Sequence, residues 1–295
     1  MKRMLIALSL VLGAAASAQT PAAGGFYYIA HRGEYMTLPA GTGKGVVDAP
    51  EGSRPAFERV RDKRISAVKL DVQYTADKVV VISHDTTLKR TTGIDLPIAK
   101  TTYEELRKAP FLKAGEFGGE RIVTLDEALG IVKDCALYYL DFKAYTPEMM
   151  DAVFACFEAH GIPRERVVIA TFTRKALEGA QAAYPDVRRV HHIQYQEQTD
   201  GTFLLNEKKC PDFAAVKAQM LAWKKELGLF GFNIPTASPF TTPELVRELK
   251  AEGCWVTLWF GHSTAVADRF RDSGADGFVT GMPSALRAYY KERRP

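Results

Sequence analysis

The amino-acid sequence predicts an α/β fold, a closed (β/α)8 barrel of the TIM type, over residues 24–295. Short runs of β-branched and aromatic residues alternate with longer amphipathic stretches, which is typical of βα units around a parallel sheet. Eight such runs follow the N-terminal segment, and eight βα units in a chain of 295 residues favour closure into a barrel. The composition, 46% hydrophobic and 25% charged, is that of an ordinary globular protein.

Residues 1–18 have the features of a secretory signal peptide. Lys2 and Arg3 precede an apolar run that is too short to span a bilayer, and a small-residue cleavage site ends at Ala18. We therefore expect a mature protein that is periplasmic or secreted, without a membrane span, and an uncleaved anchor is the alternative. The formal net charge of +4 is too small to indicate a nucleic-acid partner.

Each predicted barrel strand is a short apolar run. These runs cover residues 26–31, 67–72, 136–142, 166–172, 187–193, 229–234, 254–259 and 276–280. A further run, "VVVISHD", comes about three residues after the second strand, whereas a parallel crossover needs a dozen or more residues. We therefore predict that it returns antiparallel as a β-hairpin, with His84 opposite Lys69 to within one residue and close to the barrel mouth.

Two connections are longer than usual. Residues 86–123 are predicted to form a small insertion over the mouth, after the hairpin. Residues 33–50 are interpreted as a flexible loop, because their "GTGKG" does not have the spacing of a phosphate-binding loop.

Four cysteines follow the predicted leader, and their spacing does not resemble a zinc site. Cys135 begins the third strand at the bottom of the barrel, and Cys156 lies late in the helix that descends beside it. We therefore predict a disulfide between these two residues. Cys210 and Cys254 are expected to lie too far apart to pair.

Polar residues follow several strands at the end of the barrel where active sites form. They are His31, Arg32, Lys69, Asp71, Asp141, Lys143 and Trp259. Because side chains alternate along a strand, Lys69 and Asp71 share one face, and so do Asp141 and Lys143. So many charges in one cavity indicate a charged ligand.

The sequence resembles the glycerophosphodiester phosphodiesterases over almost the whole mature chain. The matching segments, in order and spacing, are "IAHRG", "PEGSRPAF", "KLDVQYTADKVVVISHD", "TLKRTT", "VTLDEAL", "LDFK", "ATF" and "DGFVTGMP". The H-R-G and H-D motifs are the most specific part. The resemblance implies a barrel of the phospholipase C-like phosphodiesterase type, a place in lipid metabolism, and a small glycerophosphodiester or phospholipid headgroup as substrate.

The resemblance also implies roles for individual residues. His31 and His84 match two histidines that act as general acid and base on the phosphodiester, which suits imidazole because it titrates near neutral pH. Arg32 would clamp a phosphate oxygen as a forked donor. Lys143 is a further candidate for substrate binding, and Trp259 matches a tryptophan that would pack against the glycerol.

Four other histidines carry weaker signals. His191 and His192 fall near the end of the fifth strand, so one of them is a further candidate to line the site. His160, at a helix end, and His262, in the loop after the seventh strand, are interpreted as structural or solvated.

The family's divalent cation, Ca²⁺ or Mg²⁺, is held by carboxylates, and here the match is incomplete. Asp71 matches a family ligand, and Asp141 stands where the family has a glutamate and keeps a carboxylate with a shorter reach. Both are candidate ligands, with Glu51 as a third, but Lys69 replaces a family glutamate. A lysine between two aspartates would stay protonated and place a +1 charge where the metal normally sits, so Lys69 would contact the substrate and no metal would be needed. Bacterial phosphatidylinositol-specific phospholipases C are similar in using a basic side chain instead of calcium. The alternative is that Lys69 swings aside and a metal binds through the three carboxylates.

Two further departures concern the backbone. Gly52 stands where the family has an asparagine in its E-N-[ST] motif, and Lys78 stands where the hairpin turn usually has a glycine. The Gly52 replacement means that the sequence does not determine the loop conformation near Glu51.

The sequence therefore predicts a phosphodiesterase that hydrolyses glycerophosphodiesters to glycerol phosphate and an alcohol. By resemblance, the substrate's own 2-hydroxyl attacks the phosphorus and a cyclic phosphate is then hydrolysed. Two alternatives remain open: a phospholipase-like lyase that stops at the cyclic product, and a protein that binds phosphodiesters without turning them over.

Overall fold

The computed structural model, which describes residues 25–259 and 261–291, is built around parallel strands. The strands are β1 (Tyr27–His31), β2 (Met36–Thr37), β3 (Val46–Val47), β4 (Ala67–Tyr74), β5 (Val80–Ile82), β6 (Leu137–Phe142), β7 (Val167–Thr171), β8 (Arg188–His192), β9 (Tyr195–Glu197), β10 (Phe203–Leu205), β11 (Lys208–Cys210), β12 (Gly231–Pro235), β13 (Trp255–Trp259) and β14 (Gly277–Thr280).

Helices follow the barrel strands. They are α1 (Arg54–Asp62), α2 (Lys89–Thr92), α3 (Tyr103–Leu106), α4 (Leu125–Val132), α5 (Pro147–Ala159), α6 (Arg174–Ala183), α7 (Phe213–Glu226), α8 (Pro243–Ala251), α9 (Thr264–Phe270) and α10 (Pro283–Lys291). Short 3-10 helices span Ile98–Lys100 and Arg164–Arg166. Within the described ranges no helix is long and apolar enough to cross a membrane. The signal peptide predicted for residues 1–18 lies outside the described residues.

A closed barrel is formed by β1, β4, β6, β7, β8, β12, β13 and β14, which pair in parallel in chain order. The pairing of β14 with β1, which sets Tyr27 beside Gly277, closes the ring. Each of the eight predicted strands is a barrel strand, so the predicted fold class is confirmed.

Alternation along the strands separates two layers of side chains. The inward-facing apolar layer consists of Ile29, Ala67, Leu137, Tyr139, Val168, Ala170, Val190, Trp255 and Val279. Leu70 and Phe142 belong instead to the larger cluster between the barrel and its helices. Because Lys69 and Asp71 have the same parity as Ala67, their side chains face the barrel interior.

The helix α4 shows how local sequence sets the outer layer. Thr124 and Glu127 form a capping box: the Glu127 N–H donates to the Thr124 hydroxyl at 3.0 Å, and the Thr124 N–H donates to the Glu127 carboxylate at 2.8 Å. The apolar residues that follow, among them Leu125 and Leu129, are fully buried in the outer cluster. Each such leucine stabilises the fold by roughly 2 kcal/mol of transfer free energy.

The predicted hairpin is confirmed. β5 runs antiparallel to β4, with Val72 beside Ile82, and the Ser83 N–H donates to the Asp71 carbonyl at 2.9 Å. Continued by two residues, this register sets His84 opposite Leu70, one residue from the predicted partner. Lys78 in the turn has φ +65°, the left-handed conformation that usually selects glycine.

The insertion at 86–123 forms a small subdomain on the hairpin. It contains α2, α3 and a 3-10 turn, and its apolar residues form a separate cluster together with Val81 of β5. The cluster consists of Val81, Leu88, Ile98, Leu106, Ala109, Phe111 and Ile122. The segment at 33–50, interpreted as a flexible loop, instead carries the antiparallel pair β2 and β3, in which Met36 lies beside Val47.

A three-stranded antiparallel sheet, which the sequence did not predict, lies between β8 and α7. It contains β9, β10 and β11, with β10 in the centre. One face is buried against the body of the protein through Tyr195, Phe203 and Leu205. Phe203 packs edge-on against Phe240 at a centroid distance of 4.8 Å.

The predicted disulfide between Cys135 and Cys156 is wrong: all four cysteines are free thiols. The buried Cys135 thiol is turned toward the turn before β4, where it donates to the Ile65 carbonyl at 3.3 Å. The half-buried Cys156, on α5, lies near the side chains of Tyr74 and Asp126 instead. The two thiols therefore face different neighbours and do not meet.

Candidate active site

A small cavity of about 50 Å³ lies at the C-terminal mouth of the barrel. It is lined by His31, Arg32, Lys69, His84, Asp141, Lys143, Phe172, His192, Asn233, Trp259 and Val279. An adjoining pocket is lined by Arg32, Glu51, Asp71 and His84, among others. The structure therefore brings the candidate residues from five strands and the hairpin together at one place.

Four alternating charges form the floor of the cavity. The Lys69 ammonium donates to Asp71 Oδ1 and, at 2.7 Å, to Asp141 Oδ2. Lys143 Nζ lies 2.7 Å from Asp141 Oδ2 and 3.0 Å from Asp71 Oδ1. The register of β4 and β6 sets Asp71 directly beside Asp141, so the lysines occupy the two sides of the carboxylate pair. We call these four residues the lysine-aspartate cluster.

Mutual attraction keeps Asp71, Asp141 and Lys143 ionised. Burial alone would raise the pKa of both aspartates, but the neighbouring ammoniums hold the pKa of Asp71 and Asp141 well below the usual range. Burial would lower the pKa of Lys143, but the two carboxylates raise it above the ordinary lysine value. At neutral pH the carboxylates are therefore charged and each is paired with both ammoniums.

A chain of ion pairs links Arg32, the candidate phosphate-binding residue, to the hairpin. Arg32 Nη1 donates to both Glu51 oxygens at 2.8 Å, and Arg90 forks onto the same carboxylate at 2.6 and 3.1 Å. Arg90 Nε then donates to Asp85 Oδ2 at 2.6 Å, and Asp85 Oδ1 lies 2.7 Å from His84 Nδ1. The insertion that carries Arg90 thus positions both Arg32 and His84.

The two candidate catalytic histidines are held differently. With its Nδ1–H on the Asp85 carboxylate, half-buried His84 keeps Nε2 as the atom available to a reactant. His31 is buried and lies 6.1 Å, centroid to centroid, from the nearly parallel ring of His262. Burial lowers the pKa of both catalytic candidates, and the adjacent Arg32 and Lys69 add to the effect at His31. Both rings are therefore neutral at neutral pH in the free enzyme.

The H-R-G motif needs its glycine. Arg32 and Gly33 both adopt left-handed backbone conformations, with φ +57° and +80°. A Cβ on Gly33 would lie 2.8 Å from backbone atoms of Ala56 on α1, so the close approach also excludes other residues. Gly52, which replaces the family's asparagine, has φ +66°, a conformation that both residue types tolerate, so Glu51 keeps its place beside Arg32.

Three more side chains lie in or beside the cavity: His192, one of the two histidines considered as a further candidate, and Asn233 and His262, which the sequence did not assign to the site. His192 is the member of the adjacent histidine pair that faces the cavity, where its Nε2 lies 3.4 Å from Asp141 Oδ2. The Asn233 amide donates to His192 Nδ1 at 3.0 Å, which leaves the ring proton on Nε2. His262, interpreted as structural or solvated, is largely buried and accepts the Gly281 N–H at 3.1 Å. The sequence feature that could have placed His262 near the site is its position just after the seventh barrel strand.

Trp259 lines the cavity, as predicted from its place at the end of β13. Its indole Nε1–H donates to the Ile193 carbonyl at 3.2 Å, and its ring meets the edge of Phe172 at a centroid distance of 6.0 Å. One face of the indole is therefore fixed by the barrel while the side chain remains partly exposed.

The arrangement present does not fit a divalent cation. Ca²⁺ takes six to eight oxygen ligands, and Mg²⁺ needs near-octahedral ones. Here Asp71 and Asp141 are bridged by ammoniums, and Glu51 is engaged by two guanidiniums. Among residues 25–259 and 261–291, no three His, Cys, Asp or Glu side chains are grouped so that they could hold a metal ion. The predicted metal-ligand role of the three carboxylates therefore has no support in this geometry.

The barrel, with two histidines, a guanidinium and paired ammoniums at its mouth, defines an enzyme that cleaves phosphodiesters. The chain belongs to the glycerophosphoryl diester phosphodiesterase family, whose family model matches residues 31–285. This match confirms the resemblance found in the sequence and places the protein among the phosphoric diester hydrolases.

One sequence relative carries the family's name, and two solved structures share the fold. The glycerophosphodiester phosphodiesterase of Caldanaerobacter subterraneus subsp. tengcongensis is 28% identical over 267 residues, which cover 88% of this chain and 95% of that protein. A structure of an Oleispira antarctica phosphodiesterase in complex with the product sn-glycerol-3-phosphate matches with a TM-score of 0.68 and 24% identity, over 89% of this chain and 96% of that one. The glycerophosphodiester phosphodiesterase from Thermotoga maritima matches with a TM-score of 0.61 and 20% identity, over 92% and 100% of the two chains.

The lowered histidine pKa values predict an acid-tolerant enzyme. If catalysis requires a neutral imidazole at His31 or His84, the acid limb of the kcat/KM profile, where that ring becomes protonated, should lie below the ordinary histidine pKa of 6.5, because burial lowers the pKa of both rings. Initial rates on glycerophosphocholine between pH 4.5 and 8 would measure this limb. Asp85→Asn, which removes a carboxylate that raises the His84 pKa, should move the limb to still lower pH if His84 is the titrating group. An acid-limb inflection at or above pH 6.5 would contradict the assignment of this limb to a buried histidine.

Proposed function

We propose that the protein hydrolyses glycerophosphodiesters to glycerol phosphate and an alcohol, with the Lys69 ammonium in the place that a divalent cation takes in its family. Family membership supports the reaction class. The observation that carries the proposal is the position of Lys69 Nζ, in contact with both Asp71 and Asp141 at the centre of the cavity.

Charge on the phosphoryl group would be met by three cations. Lys69 has three N–H donors and uses two of them on the carboxylates, which leaves one for a phosphate oxygen. Lys143 lines the same cavity. Arg32 Nε makes no hydrogen bond within the described part of the chain and lies 3.9 Å from Asp71 Oδ2. Such preorganised donors stabilise the charge that develops in the transition state.

Proton transfer would be carried by His31 and His84. One neutral ring takes the proton of the substrate's 2-hydroxyl as that oxygen attacks phosphorus, and the other ring, protonated, gives a proton to the departing alkoxide. The bound phosphodiester anion raises the pKa of the imidazole nearest to it, which supplies the protonated partner. Water then opens the cyclic phosphate with the roles reversed. Because His84 Nδ1–H donates to Asp85, Nε2 is the atom that gains and loses the proton in both steps.

Replacement of either catalytic candidate should remove most of the activity. His31→Ala and His84→Ala should each lower kcat by at least about 10²-fold, because proton transfer by a positioned side chain typically contributes that much. Circular dichroism and thermal melts would confirm that each variant is folded. His160→Ala is the matched control, since His160 lies outside the cavity against Asp126 and its loss should leave kcat unchanged. A folded His31 or His84 variant with near wild-type turnover would remove that residue from the mechanism.

The Lys69 proposal predicts activity that survives chelation. Turnover of glycerophosphocholine should be the same with and without EDTA, and Lys69→Ala should reduce it by about 10²- to 10³-fold, because one preorganised charge on the reacting group supplies roughly 3–4 kcal/mol. Lys69→Glu restores the family's carboxylate and should make the remaining activity depend on added Ca²⁺ or Mg²⁺.

Lys143→Ala is the comparison variant, because it removes the second ammonium from the same carboxylates. The Lys69 proposal requires a larger loss in Lys69→Ala than in Lys143→Ala, and an equal loss would show that Lys69 has no special place among the ammoniums. Loss of wild-type activity in EDTA that a divalent ion restores would exclude the ammonium replacement.

We also propose that the protein acts outside the cytoplasm. The support is the cationic start, short apolar run and small-residue site of residues 1–18. Expression in a Gram-negative host should yield mature protein that begins after Ala18 in the periplasmic fraction, as read by intact-mass spectrometry. A full-length chain retained with the membranes would favour the uncleaved anchor.

A further inference from the structure

A second cleft opens beside the catalytic cavity and is much larger. Its volume is about 620 Å³, within the range of sites that bind small molecules, whereas the catalytic cavity holds about 50 Å³. It is lined by Phe172, Arg174, His191, Gln194, Gln196, Leu204, Asn206, Glu207 and Trp223. Phe172 also lines the catalytic cavity, so one aromatic ring is shared by the two spaces.

The cleft is joined to the catalytic cavity through β8. His192 faces the cavity, while its neighbour His191 faces the cleft, where Nδ1 donates to the Thr171 carbonyl at 3.0 Å. Asn206 ties the opposite wall to the same strand: its amide donates to the His192 carbonyl at 2.7 Å and its carbonyl oxygen accepts the Gln194 N–H at 2.7 Å. The wall is therefore held at a set distance from the catalytic residues.

Polar groups that can both donate and accept hydrogen bonds cover this wall. Gln194 and Gln196 lie on the same face of the chain, two residues apart, and both are exposed. Within residues 25–259 and 261–291 their side-chain amides have no hydrogen-bond partner, and no ion pair involves the Glu207 carboxylate. Arg174, by contrast, is already paired with Glu178 at 2.7 Å and with Glu226.

Glu207 occupies a turn position that favours glycine. The turn between β10 and β11 has Asn206 at φ +41° and Glu207 at φ +72°, both left-handed. An asparagine followed by a glycine is the usual sequence for such a hairpin turn. A glutamate there carries a conformational cost of about 1 kcal/mol, and strained residues of this kind concentrate at functional sites. Glu207 lines the cleft.

We propose that this cleft binds the alcohol portion of the substrate and selects alcohols that carry several hydroxyl groups. The inference rests on the proposed phosphodiesterase function and names its substrate class. A carboxylate accepts hydrogen bonds from two neighbouring hydroxyls, the two carboxamides each donate and accept, and the exposed face of Phe172 packs on the carbon skeleton. A quaternary ammonium has no N–H or O–H, so it cannot donate to the Glu207 carboxylate or to the two amide oxygens.

The variant Glu207→Gly tests the proposal because the fold should tolerate it. Glycine suits φ +72°, so the melting temperature should stay the same or rise. We expect kcat/KM for glycerophosphoinositol to fall at least about tenfold, the usual worth of hydrogen bonds to a charged group, while kcat/KM for glycerophosphocholine changes less than about twofold. Gln194→Ala combined with Gln196→Ala should show the same selective loss.

Lys78→Gly is the matched control. Lys78 also has a left-handed φ in a hairpin turn, +65°, but it lies outside the cleft, so its replacement relaxes the backbone without changing the wall. It should leave both kcat/KM values unchanged. Equal losses on the two substrates, a loss confined to glycerophosphocholine, or no loss in Glu207→Gly would each overturn the polyol assignment.

A direct binding measurement tests the cleft independently of whether the protein is a phosphodiesterase. If the wild-type protein turns over neither substrate, the proposed function fails, and calorimetric titration with glycerophosphoinositol still decides the cleft. Weaker binding to Glu207→Gly than to the wild type or Lys78→Gly would support the cleft as the polyol site. Identical binding to all three proteins would overturn it.

Discussion

The contact of Lys69 with Asp71 and Asp141 is the interaction on which the mouth of the barrel depends. Burying an isolated charge costs several kcal/mol, and this cost is offset only when each ion has partners at hydrogen-bonding distance. The two carboxylates therefore require both lysines, and the lysines require that β4 and β6 keep their register. Removing one lysine would leave two buried carboxylates with a single ammonium between them, so the same four residues constrain the fold and the site.

Segments outside the barrel position the other functional side chains around the lysine-aspartate cluster. His84 follows the second strand of the hairpin and lines the cavity. Arg90 lies in the insertion and donates hydrogen bonds to both Asp85 and Glu51. The left-handed backbone at Arg32 turns its guanidinium across the end of β1 toward the same carboxylate. Catalytic groups from distant parts of the sequence are thus coupled by ion pairs rather than by apolar packing, which suits a site that must receive an anion.

Much of this organisation was predictable because it depends on short-range rules. Eight apolar runs with helical stretches between them define the barrel, and the short link after Tyr74 excludes a parallel crossover. The convergence of His31, Lys69 and Asp141 follows from where strands end. The sequence shows that Lys69 stands where the family has a glutamate. The contact of its Nζ with both carboxylates, however, is a property of the folded chain.

Features that depend on tertiary contacts were missed. The sheet of β9, β10 and β11 consists of three-residue strands with polar members such as Gln196 and Lys209, too short for a periodic signal, and it is stabilised by burying Tyr195 and Phe203. The disulfide prediction failed for a related reason. Sequence placed Cys135 and Cys156 on neighbouring elements, but the direction of each thiol is set by packing, and Cys135 points to the Ile65 carbonyl.

The alternating signs at the barrel mouth have a consequence for how substrate arrives. Lys69 and Lys143 cancel Asp71 and Asp141, and Arg32 and Arg90 likewise cancel Glu51 and Asp85. The site then has no net monopole, and its field decays quickly with distance, so it offers little electrostatic steering to an approaching anion. Encounter is set by diffusion and shape rather than by long-range attraction. The association rate is therefore expected to depend only weakly on ionic strength, unlike that of an enzyme whose cleft carries an excess of positive charge.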